Sequence, residues 1–322
     1  MKIHKEILLQ IPFVDLAPAD GRVVYDAPCF DRGDNTYKLY FQRDDALGFV
    51  YARPAEACYW AESIADETRD LFVPLLHTIS NHYSFPSIQE TLLRIQYDIL
   101  NLSVVVEKYF VFLDLFRRKR EPLISGMIRT DLEYYFGVSM SLFDLVHDVL
   151  RDLWRMKHRP VVLPDTFRKM AGKEPEELGR KYNLPNPLIS YYATTKDFFL
   201  NCREIRDCIY HGGLTPDFIV CFDDGFGFQK DSQFFPSRLV SELDLWPREK
   251  IRENNLVSIL PLVSFINKRI LENLAVFSQA LIQSIEPLDP ISNRYKLFLR
   301  GPYTHHLTKC DEYIDRQWIP SN

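Results

Sequence analysis

Ile88, Leu92, Ile95, Ile99, Leu102, Val106, Phe110, Leu113 and Phe116 recur every third or fourth residue. This spacing constrains the chain more than any other feature. Apolar residues at that period share helix faces, so residues 88–116 are expected to form one long helix, apolar on more than one side. A second long helix is expected over 125–156. Leu132, Phe136, Met140, Phe143, Val146, Leu150 and Leu153 form its stripe, and Asp144, Asp148, Arg151, Asp152 and Arg155 its polar face. His147 neighbours the stripe, which marks it as a structural histidine. Pro160 and Pro164 stop this helix. A third begins near Pro187, carries Leu188, Tyr191, Thr195, Phe198, Cys202, Ile205 and Ile209 on one side, and ends at Gly212-Gly213. A fourth is expected over 249–285, kinked at Pro261.

The most apolar stretch, 97–116, is interrupted by Asp98, Glu107, Lys108 and Asp114. A buried helix fits it better than a membrane span. The first residues, MKIHKEILLQIPFVDLAP, lack an uninterrupted apolar core and a small-residue cleavage site, so no signal peptide is expected. The six cysteines, at 29, 58, 202, 208, 221 and 310, include no CxxC pair. That pattern suits reduced thiols in a cytoplasmic protein. The net charge of −5 argues against a surface coated with positive charge for general nucleic-acid binding, but not against a local basic groove.

Two segments carry β signals. Residues 37–42 and 48–52 flank a polar turn within an otherwise irregular N-terminal extension, 1–65. Residues 217–222 and 226–230 flank Asp223-Asp224-Gly225 as a second hairpin. Residues 160–187 hold five prolines and a short helical piece around 174–182, forming a connector. The expected organisation is a mainly α chain: the extension, a helical domain over 66–286 with a small β-hairpin insertion, and a tail over 287–322.

The chemistry concentrates in Arg206-Asp207-Cys208-Ile209-Tyr210-His211, closed by the two glycines. Arg can stabilise a phosphate, and His can move a proton near neutral pH. In a helix Asp207 and His211 stand at i and i+4, so the carboxylate could orient the imidazole. A position in the last turn also favours imidazolium. Arg206 lies five residues before His211, roughly 140° away around a straight helix. Convergence on one phosphate requires an unwound last turn or opposite walls of a groove. Arg151…His158, Arg300…His305 and Arg300…His306 have comparable spacing. Arg300 is followed by Gly-Pro in a tail, and His158 sits in a plain helix end. Only Arg206–His211 combines a polar residue after Arg, apolar packing positions at 205 and 209, and a Gly stop. The alternative is that Arg206 and Asp207 make surface ion pairs and His211 merely ends a helix.

Arg206, Asp207 and His211, with the long helices around them, resemble the HEPN superfamily. Its signature is Arg, then Asn, Asp or His, then His near a helix end. The resemblance extends over about residues 86–286, although only the short motif is specific. The N-terminal region and the 217–230 hairpin depart from the family core. The resemblance implies a HEPN-like helical bundle and a metal-independent endoribonuclease without cofactor. It implies Arg206, His211 and Asp207 as the catalytic set, at a two-fold homodimer interface. It also implies RNA as substrate, a toxin–antitoxin or antiviral defence setting, and no membrane partner. The family's alternative is a catalytically silent interaction protein, a partner of an antitoxin, nuclease or nucleotidyltransferase. Cleavage of RNA through its own 2′-OH needs a base for that proton, an acid for the leaving oxygen, and a cation for charge on phosphorus. A symmetric pair supplies two Arg and two His.

Two further clusters have open readings. Arg117-Arg118-Lys119-Arg120 is a solvated helix end or a phosphate-contacting patch. His305-His306 with Cys310 and Asp311 could hold a metal, but lacks a second ligand pair. The absence of GxxxxGK[ST], GxGxxG and G-x-S-x-G argues against P-loop, kinase, Rossmann and α/β-hydrolase chemistry.

Overall fold

The computed structural model describes residues 24–28, 37–43, 46–52, 58–64, 66–83, 85–158, 160–211, 219–230 and 245–320. At 24–28, 37–43 and 46–52, and at positions 59, 86, 87, 210 and 211, the description covers backbone alone. The elements in chain order are β1 (Val24–Pro28), β2 (Tyr37–Arg43), β3 (Ala46–Ala52), β4 (Cys58–Ala61), β5 (Asp70–Phe72), α1 (Pro74–His82), α2 (Pro86–Lys119), α3 (Ile124–Lys157), α4 (Phe167–Ala171), α5 (Pro175–Tyr182), α6 (Asn186–His211), β6 (Val220–Phe222), β7 (Gly225–Gln229), β8 (Leu256–Ser258), α7 (Ile259–Ser284), β9 (Lys296–Arg300), α8 (His305–Thr308) and α9 (Cys310–Arg316). The protein is mainly helical, with three small antiparallel sheets among the described residues.

The chain divides into two compact units. One comprises residues 1–85 and 286–305. Its first sheet has the order β1-β2-β3, with Tyr37 opposite Ala52 in the hairpin expected there. In its second sheet β9 lies between β4 and β5. Arg300 at the end of β9 donates to both carboxylate oxygens of Asp70 at 2.5 and 2.8 Å. Both side chains are almost fully buried, so each needs the other. Asn81 of α1 exchanges two hydrogen bonds with the backbone of Ser292. The tail thus contributes a central strand that its weak periodicity does not announce.

The other unit comprises residues 86–285 and 306–322. The expected long helices are present as α2, α3 and α6. α3 packs on α2 and α6, and α6 packs on α7. Tyr135 of α3 donates to the Val263 carbonyl at 2.9 Å, and Thr195 of α6 to Asn273 Oδ1 at 3.0 Å. These bonds satisfy polar groups in an otherwise apolar interior.

The fourth helix begins ten residues later than expected. Residues 248–250 and 253–255 form short 3-10 turns. Asn254 and Asn255 adopt left-handed backbone at φ 59° and 55°, a conformation Asn tolerates better than most residues. The chain then pairs as β8 with β7 before α7 starts at Ile259. Pro261 consequently stands in the first turn, where a missing N–H breaks no intrahelical bond, and not at a mid-helix kink. Within the 217–230 signal, of which 217 and 218 lie outside the described residues, β6 and β7 form the hairpin, which β8 extends to three strands.

Candidate functional site

One side of α6 is sealed by Leu188, Tyr191, Tyr192, Thr195, Phe199, Cys202, Ile205 and Ile209. Their burial fixes the helix's rotation and leaves Arg203, Arg206 and Asp207 half-buried. His211 is the last helical residue. Its side chain and Gly212-Gly213 lie outside the described residues.

Asp207 Oδ1 accepts from Arg206 Nε at 3.0 Å and Nη2 at 2.5 Å. Its Oδ2 accepts from Arg203 Nε at 3.2 Å. Burial alone would push the Asp207 pKa up. The hydrogen bond and charge of Arg206, then those of Arg203, outweigh it and hold the carboxyl below its ordinary value. The i,i+4 spacing expected to serve His211 is used by Arg203, one turn earlier. Asp207 engages both guanidinium groups on the Nε side. The Nη1 end of Arg206 and both Nη groups of Arg203 retain donors, since a guanidinium carries five N–H.

Arg203 and Arg206 line a cleft of about 470 Å³, together with Phe199 one turn earlier on α6. α3 supplies Met140 and Asp144 to its floor. The third wall is the short α4 and its flanks: Thr166, Arg168, Lys169, Gly172 and Lys173. Five residues are too few for a helix to persist alone, so tertiary bonds hold α4. The Phe167 ring is fully buried, 4.7 Å from Phe199 and 5.2 Å from Phe143 between centroids. Asp144 Oδ1 accepts from Phe167 N at 2.9 Å, and Thr166 caps the helix by accepting from Lys169 N. Three cations thereby line the same cleft as the α6 arginines. The motif singled out only Arg206 of these five. The i, i+4, i+7 spacing of Phe199, Arg203 and Arg206 on one helix face was the available signal for Arg203.

The competing Arg–His spacings have other roles. Arg151 pairs with Asp148 at 3.0 Å, and the His158 ring lies 4.3 Å from Trp154. Arg300 is committed to Asp70. His306 uses both ring nitrogens, on Tyr313 Oη at 2.7 Å and Glu107 Oε2 at 2.8 Å. Cys310 donates to the Leu307 carbonyl, and burial pushes its thiol up to about 12, away from the thiolate a metal needs. Among the described residues no group of three His, Cys, Asp or Glu is placed to hold a metal ion.

The basic run closes α2, with Arg120 just beyond it; Arg118, Lys119 and Arg120 are exposed, as a solvated helix end requires, and Arg117 is half-buried. Arg117 donates to the carbonyls of Asp223, Ile319 and Pro320, and Arg120 pairs with Asp223. His147 has the expected structural role, with both ring nitrogens hydrogen-bonded in the core. No described helix is long and apolar enough to cross a membrane. No family model, curated protein or solved structure matches this chain.

Proposed function

We propose that this protein is a metal-independent endoribonuclease of HEPN type. Arg206 binds the reacting phosphate, and His211 moves the proton of the attacking 2′-OH or of the leaving oxygen. The observation that carries this reading is the position of Arg206. Its guanidinium is fixed by Asp207 on one side and borders a cation-lined cleft on the other. Such a fork suits a phosphate with two free oxygens, and pre-positioning it costs no reorganisation as charge develops on phosphorus. The protein acts as a homodimer, in which two copies supply two Arg206 and two His211.

A catalytically silent RNA-binding or interaction module is the second reading. It is favoured by the full use of both Asp207 oxygens by arginines, which describes an anion-binding fork without needing an oriented imidazole. Incubation of a 5′-labelled oligoribonucleotide in EDTA, with wild type and His211→Ala side by side, separates the two. Cleavage by wild type alone supports the nuclease; binding without cleavage by either supports the module.

A further inference from the structure

The geometry points to a second phosphate-binding wall, Arg168, Lys169 and Lys173, that grips the RNA strand away from the phosphate held by Arg206. This inference rests on the proposed use of the Arg206 cleft for RNA. The wall belongs to the connector between α3 and α6, outside the Arg–His motif. It faces the same cleft as Arg203 and Arg206. A single reacting phosphate does not need five cations from two elements; a strand carrying several phosphates does.

The existing partners of these cations do not prevent this role. Lys169 pairs with Asp165 at 2.6 Å, and both side chains are more than 60% exposed. Lys173 pairs with Glu177 four residues on, at 2.7 Å. The exposed Lys169 pair is weak in water, whereas the Lys173 pair, with side chains 23% and 35% exposed, is held more firmly and gives up less to a phosphate. Arg168 has no acidic partner within ion-pair distance among the described residues. The wall is also rigidly seated, through buried Phe167 and the Asp144 bond to its backbone N–H.

The chemistry further specifies how the strand is read. Phe199 and Met140 at the floor are buried, at 2% and 6% exposure, so neither ring nor thioether offers a free stacking face. Asp144, the one carboxylate of the lining, and Thr166 are engaged with the α4 backbone. Five cations outnumber that single carboxylate in the lining, and cations contact backbone phosphates and leave bases unread. The strand is therefore held with little sequence preference, and a substrate must extend beyond the cleaved linkage.

The test uses the full chain and a fluorescein-labelled, fully 2′-O-methylated twelve-nucleotide strand, which lacks the 2′-OH and reports binding without cleavage. Arg168→Ala/Lys169→Ala/Lys173→Ala is expected to weaken its affinity roughly tenfold or more at low salt. Its log–log salt slope should fall by about 2, near 0.7 for each of three lost contacts. Lys173→Ala and Arg168→Ala singly serve if the triple variant is unfolded by circular dichroism. Arg118→Ala/Arg155→Ala/Lys268→Ala removes equal charge at exposed positions and should lose much less. Equal losses in both triple variants would overturn the wall as a site. So would a mononucleotide 5′-phosphate or inorganic phosphate that competes as well as the strand. If the strand binds through these residues while the unmethylated strand is never cut in EDTA, the wall stands and the nuclease reading fails. If cleavage proceeds and the α4 variants bind and cut as wild type, the nuclease reading stands and the wall falls.

Discussion

Asp207 Oδ1 receives two hydrogen bonds from the guanidinium of Arg206, at 3.0 Å from Nε and 2.5 Å from Nη2. The aspartate therefore acts as a positioning residue for the arginine fork, and its charge opposes the anion that the fork would bind. These two effects separate in Asp207→Asn. The lost negative charge should tighten binding of a non-cleavable strand by a few-fold, while the looser fork lowers the cleavage rate by roughly tenfold. Fluorescence anisotropy and a single-turnover assay measure the two. A variant that loses affinity and rate together would show a merely structural role. Because the arginines hold the Asp207 pKa below its ordinary value, the clamp's contribution is complete above the unfolded pKa of about 3.9. It is lost only as pH falls through the still lower folded value. An acid limb in the rate at pH 6–7 then belongs to another group, and His211→Ala should abolish it.

For catalysis itself, His211→Ala should slow cleavage roughly 10²–10⁴-fold, the usual contribution of a general acid or base. Arg206→Lys should be strongly impaired, since a point charge cannot replace a two-pronged donor. Cleavage should survive EDTA and leave 2′,3′-cyclic phosphate ends. Activity abolished by chelator and restored by Mg²⁺ would instead indicate metal-assisted displacement. Arg151→Ala should leave the rate unchanged.

Much of this arrangement is legible in the sequence because apolar period survives wherever a long helix is packed. α2 and α3 follow the stripes of Leu and Phe closely. The start of α7 does not, since Asn254 and Asn255 interrupt the pattern through backbone conformation, which periodicity does not record. β9 is hidden for another reason: five residues give little alternation, and its partners Cys58–Ala61 and Asp70–Phe72 lie more than two hundred residues earlier. The cleft shows the same division. Arg206 is found through its motif, whereas Arg168, Lys169 and Lys173 sit on a turn whose placement depends on where Phe167 is buried.

A single chain offers one Arg206 and one His211, so the active species should be a dimer with the 200–213 segment at its interface. Leu200 is 39% exposed on α6, an apolar side chain a partner could cover. Leu200→Asp should shift the protein toward monomer in light scattering at micromolar concentration and reduce cleavage in parallel. A wild-type monomer with full activity would refute the shared site.

Acid sensitivity should originate in the core at His147. Its Nε2 lies 2.7 Å from the Pro164 carbonyl, which can only accept. Nε2 therefore carries the proton, and Nδ1 accepts from the Tyr192 hydroxyl at 2.7 Å. Burial lowers the His147 pKa, and the Pro164 bond only partly opposes it. The unfolded chain thus binds this proton more readily than the folded one. The stability contribution is complete above the unfolded pKa of about 6.5 and declines as pH falls below it, by at most about 1.4 kcal/mol per pH unit. Melting at pH 7.5 and 5.5 should show this decline. His147→Gln should be less stable at pH 7.5 and show a flatter dependence. An unchanged slope would place the acid sensitivity elsewhere.

Gly227 supplies a stability prediction independent of the site. A Cβ there would lie 2.9 Å from both Trp318 Cη2 and the Val257 carbonyl oxygen. The indole cannot easily withdraw: its Nε1 donates to the Lys250 carbonyl at 2.9 Å, and the Arg252 guanidinium stacks on its face at 3.9 Å. The Val257 carbonyl belongs to β8, which pairs with β7 through Phe228 and its neighbours. A methyl must therefore displace both the ring and the strand carbonyl. Gly227→Ala should cost about 1–3 kcal/mol, the usual range for overpacking, read as a lower urea midpoint with unchanged slope. Trp318→Leu in the same background should recover only part of the loss, because the clash with the strand carbonyl remains. Full recovery would mean that the sheet, and not the indole, yields at this contact.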